Sequence, residues 1–568
     1  MSSLGTLDLL VIAGTLLVVT LLGARLAGRQ ESVRDFFLGG RKLPWWAVAA
    51  SIVATEISAV TYVSLPSVVW RPGGDLTYLQ LGLIGSLVAK AIVAMVLVPA
   101  YFEREIYSPY DYMGARLGGG VRRATTVLFS IGGVLGQAAR VYLVAVVLEV
   151  LLARELGVVQ DAVGVSPLVS SVVLIGIVSV LWTWMGGIAA IVWTDALLFL
   201  LFLVGIGVLL VSAAAGVDGG LSAALSEGVR EGKARLFDTT PTLLKPYTLW
   251  VALIAAPLWL IGPYGTDQLI VQRLFSCRDA GEARKAMLAS YAAVAVTLLV
   301  GMVGIVLFAY LRQNPPQPEV ARLLEERPDR LVPVYVLTSL PDGLRGLVVV
   351  GVFAAAISSL DSILSALAQT SGRLLFREGD DEARALRRSR MLVLAWGVAL
   401  CVVAVGMQPL HERYGSILDL ALATATYTAG ALIAGFFLAF LPHGQDGRGL
   451  VWSSALSILA VLALAWPEVE PRGWIRAATA VYALLWVVLV LRPGRAGGAP
   501  WVAELASTVW MGLGCLVVVV IGEVGHGTVA TPEGGTRVQP VAYPWFVVVG
   551  AIVAFVWGWL LARPKSLS

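Results

Sequence analysis

Charge is what this chain has least of. Only 14% of its 568 residues are Asp, Glu, Lys or Arg, against 58% hydrophobic residues and a mean hydropathy of +0.83. A soluble protein of this length needs far more charge to solvate its surface. The net charge of +4 excludes little by itself, but no polar stretch is long enough to form a nucleic-acid-binding domain. Cysteine is scarce as well: Cys277, Cys401 and Cys515 show neither metal spacing nor an even framework. The three histidines, His411, His443 and His526, fall near the ends of apolar runs, and no Gly-x-Ser-x-Gly elbow is present, which removes the parts of a Ser-His-Asp hydrolase. Neither an enzyme, a disulfide scaffold, a metal centre nor a cofactor is indicated.

What the chain has is apolar runs, each long enough to cross about 30 Å of hydrocarbon as a helix. We count fifteen candidate spans, approximately 7–27, 44–70, 77–101, 121–152, 166–186, 188–213, 248–272, 287–312, 343–371, 388–408, 412–441, 449–466, 473–492, 503–522 and 542–562. The expectation is an all-α polytopic membrane protein in a cell (plasma or inner) membrane. The N-terminus lacks a basic region, and its first apolar run is followed by Arg25, Arg29, Arg34, Arg41 and Lys42. This reads as a retained helix with its N-terminus outside. The same orientation puts the basic stretch Arg373 to Arg390, and then Arg563 and Lys565, in the cytoplasm. The long loops at about 214–247 and 313–342 are then external, with room for short helices.

Polar groups inside these runs need a reason. Ala354 to Ser362 reads Ala-Ala-Ala-Ile-Ser-Ser-Leu-Asp-Ser. At helical spacing Ala355, Ser358, Ser359 and Ser362 share one face, and Ser358, Asp361 and Ser362 form an overlapping patch. Serines alone also serve close helix packing, but an intramembrane carboxylate is costly and marks a functional site. Clustered hard oxygens suit a small cation such as sodium. Two further segments interrupt their spans: Ser51 to Thr61, which carries Glu56 near mid-membrane, and Leu260 to Gln268, where Gly262, Pro263 and Gly265 oppose regular helix. Such breaks expose backbone groups at the midplane, as a transport site requires. They open two five-span blocks, 44–213 and 248–441, the layout of an inverted repeat, flanked by 1–43 and 442–568. Arg140 lies too deep to snorkel fully and wants a carboxylate, either Glu56 or one on a solute. Asp195 sits early in its span, in a capping position, and Lys90 has an interface within reach.

Several ordered motifs give the chain a resemblance: Asp35-Phe-Phe-Leu-Gly-Gly-Arg41, Ser108-Pro-Tyr-Asp-Tyr-Met-Gly-Ala-Arg-Leu-Gly118, Gly186-Gly-Ile-Ala-Ala-Ile-Val-Trp-Thr-Asp195, Thr266-Asp-Gln-Leu-Ile-Val-Gln-Arg273 and the Ser-Ser-Leu-Asp-Ser helix. Over about residues 30–441 it resembles the sodium/solute symporter family. The resemblance implies a LeuT-type repeat of five plus five helices, with one extra helix before it and about four after. It also implies a sodium site at Ala54, Ile57, Ala355, Ser358 and Ser359. A second ion site of some members falls on Asp195, Asp361 and Ser362, where a carboxylate replaces the family's first serine. The substrate pocket falls on Glu56, Ser58, Thr61, Gln80, Arg140 and Tyr264, a set similar to that of carboxylate-binding members. The implied function is a symporter in which sodium, the coupling ion, drives uptake of a small polar organic solute such as a sugar acid or amino acid. A proton-coupled carrier using Glu56 or Asp361 and a transporter-like membrane sensor are the alternatives.

Overall fold

The structure is a computed structural model that describes residues 4–28, 30–103, 106, 108–375, 381–409, 417–441, 446–466, 469–490, 501–530 and 536–562. His411, His443, Arg563 and Lys565 lie outside the described residues, as does the start of the expected span 412–441. A backbone surrounded by hydrocarbon must satisfy its own hydrogen bonds, and the apolar runs do so as helices. Among the described residues eleven helices are long and apolar enough to cross a membrane, twelve if one bent pair counts as a span, with two shorter apolar helices besides.

In chain order these are α1 (Thr6–Ala27), the short α2 (Val33–Leu38), α3 (Trp45–Glu56) and α4 (Ala59–Trp70). Then come α5 (Leu81–Phe102), α6 (Pro109–Leu117), α7 (Gly119–Leu151) and α8 (Pro167–Ala215). The second block holds α9 (Val251–Thr266), α10 (Gln268–Phe275), α11 (Ala280–Gln313), α12 (Leu331–Ser339), α13 (Leu344–Leu375), α14 (Glu382–Val405), α15 (Ile417–Thr426) and α16 (Ala429–Phe440). It is followed by α17 (Arg448–Ala465), α18 (Val469–Val490), α19 (Trp501–Val524), the hairpin β1 (His526–Ala530) and β2 (Thr536–Pro540), and α20 (Pro544–Leu560). The connections near 214–247 and 313–342 carry the surface helices Gly220–Arg230 and Pro318–Glu326. The antiparallel hairpin, paired from His526 with Pro540 to Ala530 with Thr536, is an addition to the all-α expectation. It rests on the connection before α9, where Ala542 N–H donates to Leu243 O at 2.8 Å.

α13 is the centre of the bundle, buried almost throughout and packed most extensively on α8. α1 and α18 lie outside, with Leu10, Leu21, Leu484 and Leu485 exposed as a lipid-facing surface should be. The 49 residues of α8 would run about 74 Å if straight, more than twice the hydrocarbon thickness. They are two helices meeting at Gly187, whose φ of 54° and ψ of −152° lie outside the helical region, which separates the expected spans 166–186 and 188–213. Only glycine fits there: a Cβ would stand 2.2 Å from Phe36 O, in a left-handed conformation that side chains resist.

Two interruptions shape the interior. α3 and α4 meet at a bend of 52°, with Ile57 and Ser58 non-helical between them. No Gly or Pro marks this break, which is why composition signals it weakly. The second lies at Asp267, whose extended backbone (φ −88°, ψ 128°) separates α9 from α10, and α9 ends in a widened π turn over Gly262–Thr266. Pro263, without an N–H, and the two glycines account for that loosening.

Candidate functional site

The first break frees backbone oxygens. Regular bonding stops where Ile57 N–H donates to Val53 O at 3.0 Å and resumes where Tyr62 N–H donates to Ser58 O at 3.1 Å. Among the described residues no backbone N–H bonds the carbonyls of Ala54 or Ile57. α13 packs against this stretch and presents its hydroxyl face. Ser359 Oγ donates back to Ala355 O at 3.2 Å, while the fully buried Ser358 hydroxyl makes no close hydrogen bond among the described residues and has the Asp195 carboxylate as its nearest polar neighbour. Ala54, Ile57 and Ala355 line one narrow cavity, closed on its other side by Leu198, Phe199 and Phe202 of α8. Of the five residues expected to hold sodium, Ala54, Ile57 and Ala355 share this cavity, whose exposed lining is apolar, and Ser358 and Ser359 do not line it. Neutral carbonyl and hydroxyl oxygens are the donor chemistry that suits sodium.

One turn further along α13 the polar cluster is built around an arginine. Arg273 of α10 is completely buried. Its Nη2 pairs with Asp195 Oδ2 at 2.9 Å and also donates to Ser362 Oγ, its Nε donates to Ser51 Oγ at 2.7 Å, and its Nη1 to Leu269 O at 2.6 Å. Ser51 Oγ in turn donates to Asp195 Oδ2 at 2.5 Å. Asp195 therefore does not cap its helix: it lies eight residues past Gly187 and forms a buried ion pair. Asp361, also fully buried, accepts from Ser362 Oγ at 3.2 Å through one oxygen. Among the described residues its Oδ2 makes no hydrogen bond, and Asp195 Oδ1 is met only loosely, by the Ser358 hydroxyl. Asp195, Asp361 and Ser362 thus do come together, but around the guanidinium of Arg273, one residue beyond the expected span 248–272.

Between the two breaks lies a cavity of about 210 Å³. Glu56, Thr61, Arg140 and Tyr264 line it, together with Gln137 and Asp267, whereas Ser58 and Gln80 do not. Gln80 is fully buried and donates to Tyr247 O at 2.9 Å. The glycines Gly132, Gly133 and Gly136 keep the α7 wall flat.

The expected pairing of Glu56 with Arg140 is not made. Glu56 Oε2 accepts from Lys90 Nζ at 2.7 Å, and Glu56 Oε1 accepts from the Tyr264 hydroxyl at 2.5 Å. Lys90 does not reach an interface: its side chain is 1% exposed, and its ammonium also donates to Ser290 O at 2.9 Å. Arg140 is half-buried and forms no hydrogen bond or ion pair among the described residues, with Asp267 the carboxylate whose field reaches it. Gln137 Oε1, one turn away on the same helix, is likewise unbonded. The arrangement offers a cation to an incoming anion, and an acceptor oxygen to a donor group on the same solute. Lys90, Asp267, Gln137 and Arg273 were missed as site residues. All but Gln137 are charges in or beside apolar runs, where their cost is a signal, and Asp267 and Arg273 also lie in the motif Thr266 to Arg273.

With this geometry in hand, residues 36–466 match the sequence profile of the Sodium:solute symporter family. The sodium/sialic acid symporter SiaT of Proteus mirabilis is 25% identical over 474 residues, spanning 81% of this chain and 89% of that protein. Human sodium-coupled monocarboxylate transporter 1 is 27% identical over 441 residues, 76% of this chain and 69% of that one. Among solved structures, a substrate-bound, outward-open Na+-coupled sialic acid symporter superposes with a TM-score of 0.68 at 23% identity, over 92% of this chain and 97% of that chain. That last likeness is one of fold.

Proposed function

The chain belongs to the sodium:solute symporter family, and from that premise we propose that it uses the inward sodium gradient to import a small organic solute bearing a carboxylate. It is a multi-pass membrane transporter of LeuT-type fold, not an enzyme, and its family couples a small solute to sodium. The carboxylate is the narrower claim. One observation carries it: the cavity holds a half-buried guanidinium, Arg140, without an ion-pair partner, while the nearby Glu56 is already neutralised by Lys90. Arginine presents a planar fork that matches a carboxylate with two parallel hydrogen bonds. The relatives named for sialic acid and for monocarboxylates support the same chemistry.

In this reading sodium is held by Ala54, Ile57, Ala355, Ser358 and Ser359. It ties the α3 break to α13, favours the state open to the outside, and preorganises the cavity, so sodium and solute strengthen each other's binding. Loss of sodium to a sodium-poor cytoplasm loosens that tie and permits inward opening. The five-plus-five division at 44–213 and 248–441 and the external N-terminus belong to the same proposal, supported by the two breaks and by the Lys/Arg bias of the loops. Uptake of labelled carboxylates, sugars and amino acids by proteoliposomes, with and without a sodium gradient, tests it. Sodium-driven uptake confined to uncharged solutes would overturn the carboxylate assignment.

A further inference from the structure

Lys90 is a buried charged group that the proposed transport cycle leaves idle. It lies behind the cavity wall formed by Glu56, Ser86 and Tyr264. Its ammonium has three neighbours: Glu56 Oε2 at 2.7 Å, Ser290 O at 2.9 Å, and the Tyr264 ring, whose centroid is 4.7 Å away. The Tyr264 hydroxyl, itself 3.3 Å from Ser86 Oγ, donates to the other oxygen of Glu56. The carboxylate of Glu56 is thus held at both oxygens, by a cation from α5 and by a phenol from the second broken helix.

The position of Glu56 in the chain gives this a purpose. It is the last residue of α3, and the two freed carbonyls flank it, Ala54 two residues before and Ile57 one after. Fixing the Glu56 side chain fixes the torsion of the backbone that aims those carbonyls. An ammonium buried in an apolar span is costly unless paired, so the arrangement is well determined: Glu56 supplies the counter-charge to Lys90, and Lys90 keeps Glu56 in place.

We infer that Lys90 is a positioning residue for sodium, acting through Glu56 to aim the carbonyls of Ala54 and Ile57. The inference rests on the sodium site proposed above. It has a sign that simple electrostatics does not share. A positive charge near a cation site repels sodium, so its plain removal tightens binding, whereas loss of a positioning contact weakens it.

The test is binding of radiolabelled sodium to the purified full-length protein in detergent, without solute. In Lys90→Met the half-saturating sodium concentration rises about tenfold, the scale on which metal sites lose affinity when a supporting contact is removed, and in the double variant Glu56→Gln with Lys90→Met it returns to within about threefold of wild type. The rescue follows because a neutral amide needs no counterion and still meets Tyr264. Unchanged or tighter sodium binding by Lys90→Met overturns the inference. Ser359→Ala separates the two levels. If it weakens sodium binding while Lys90→Met does not, the sodium site stands and the role of Lys90 falls. If Ser359→Ala binds normally, the site itself is misplaced and the inference falls with it. Should Lys90→Met yield no monodisperse protein, the double variant decides: near wild-type sodium affinity supports action through Glu56, and weak binding there overturns it.

Discussion

Arg140 and Arg273 are the same residue type in the same bundle, and their surroundings assign them opposite tasks. Arg273 gives four of its five donors to protein, to Asp195, Ser51, Ser362 and the Leu269 carbonyl. Replacing it by Met strands Asp195 as a buried, uncompensated charge, and should cost about 3–5 kcal/mol of stability, seen as a lowered melting temperature of the purified protein. Arg140 keeps its donors for the cavity. Arg140→Lys should weaken solute binding about tenfold, since an ammonium cannot reproduce the fork and a charged hydrogen bond is worth roughly 1.5–3 kcal/mol, while solute-free sodium binding stays near wild type. Equal loss of both affinities would show Arg140 to be structural. At this scale the sequence exposed which charges are expensive but not how they pair. Glu56 and Arg140 stood out because each interrupts an apolar run; that Glu56 would choose Lys90 depends on α5 lying beside the end of α3, a fact of tertiary packing.

The helices themselves were far more legible, because a period of apolar residues about twenty long has few readings. The second break was marked by Gly262, Pro263 and Gly265. The first was not, since Ile57 (φ −89°, ψ 86°) and the extended Ser58 (φ −76°, ψ 166°) both keep a negative φ and need neither Gly nor Pro. The hairpin at 526–540 escaped notice because a strand pair of this size carries no apolar period strong enough to stand out between two long helices. The junction inside α8 offers a sharp test of an element. Gly187→Ala places a Cβ against Phe36 O and should abolish accumulation of folded protein, read by size-exclusion chromatography of a fluorescent fusion. Gly207→Ala in the same helix meets nothing within 4 Å and should be neutral, or stabilising by up to about 1 kcal/mol through helix propensity. Equal behaviour of the two variants would mean that the junction is not where the backbone constraint lies.

For the whole molecule, the two proposed ligand sites share one broken helix: Ala54 and Ile57 line the narrow cavity beside α13, and Ile57, Glu56 and Thr61 line the larger one. Coupling of that kind is reciprocal. Whatever factor saturating sodium adds to solute affinity, saturating solute must add to sodium affinity, and paired titrations of the same preparation check the equality. Ser359→Ala should shrink both factors together. A variant that changed one factor alone would show that the assay is reading a rate and not an equilibrium.

The hairpin has its own bearing on this machine. Gln539 Nε2 donates to Leu244 O at 3.2 Å, and three residues on, Tyr247 gives its carbonyl to Gln80 and sets its ring edge-on to Tyr78, which lines the cavity. The late helices of the chain therefore hold a strap across the wall of a chamber built by the early ones. Cutting that strap, by exchanging residues 526–540 for a flexible Gly-Ser linker, should loosen solute binding while sparing sodium. A segment late in the chain, between its last two helices, would then behave as a tuning peg for selectivity, adjustable without touching any residue that lines the cavity.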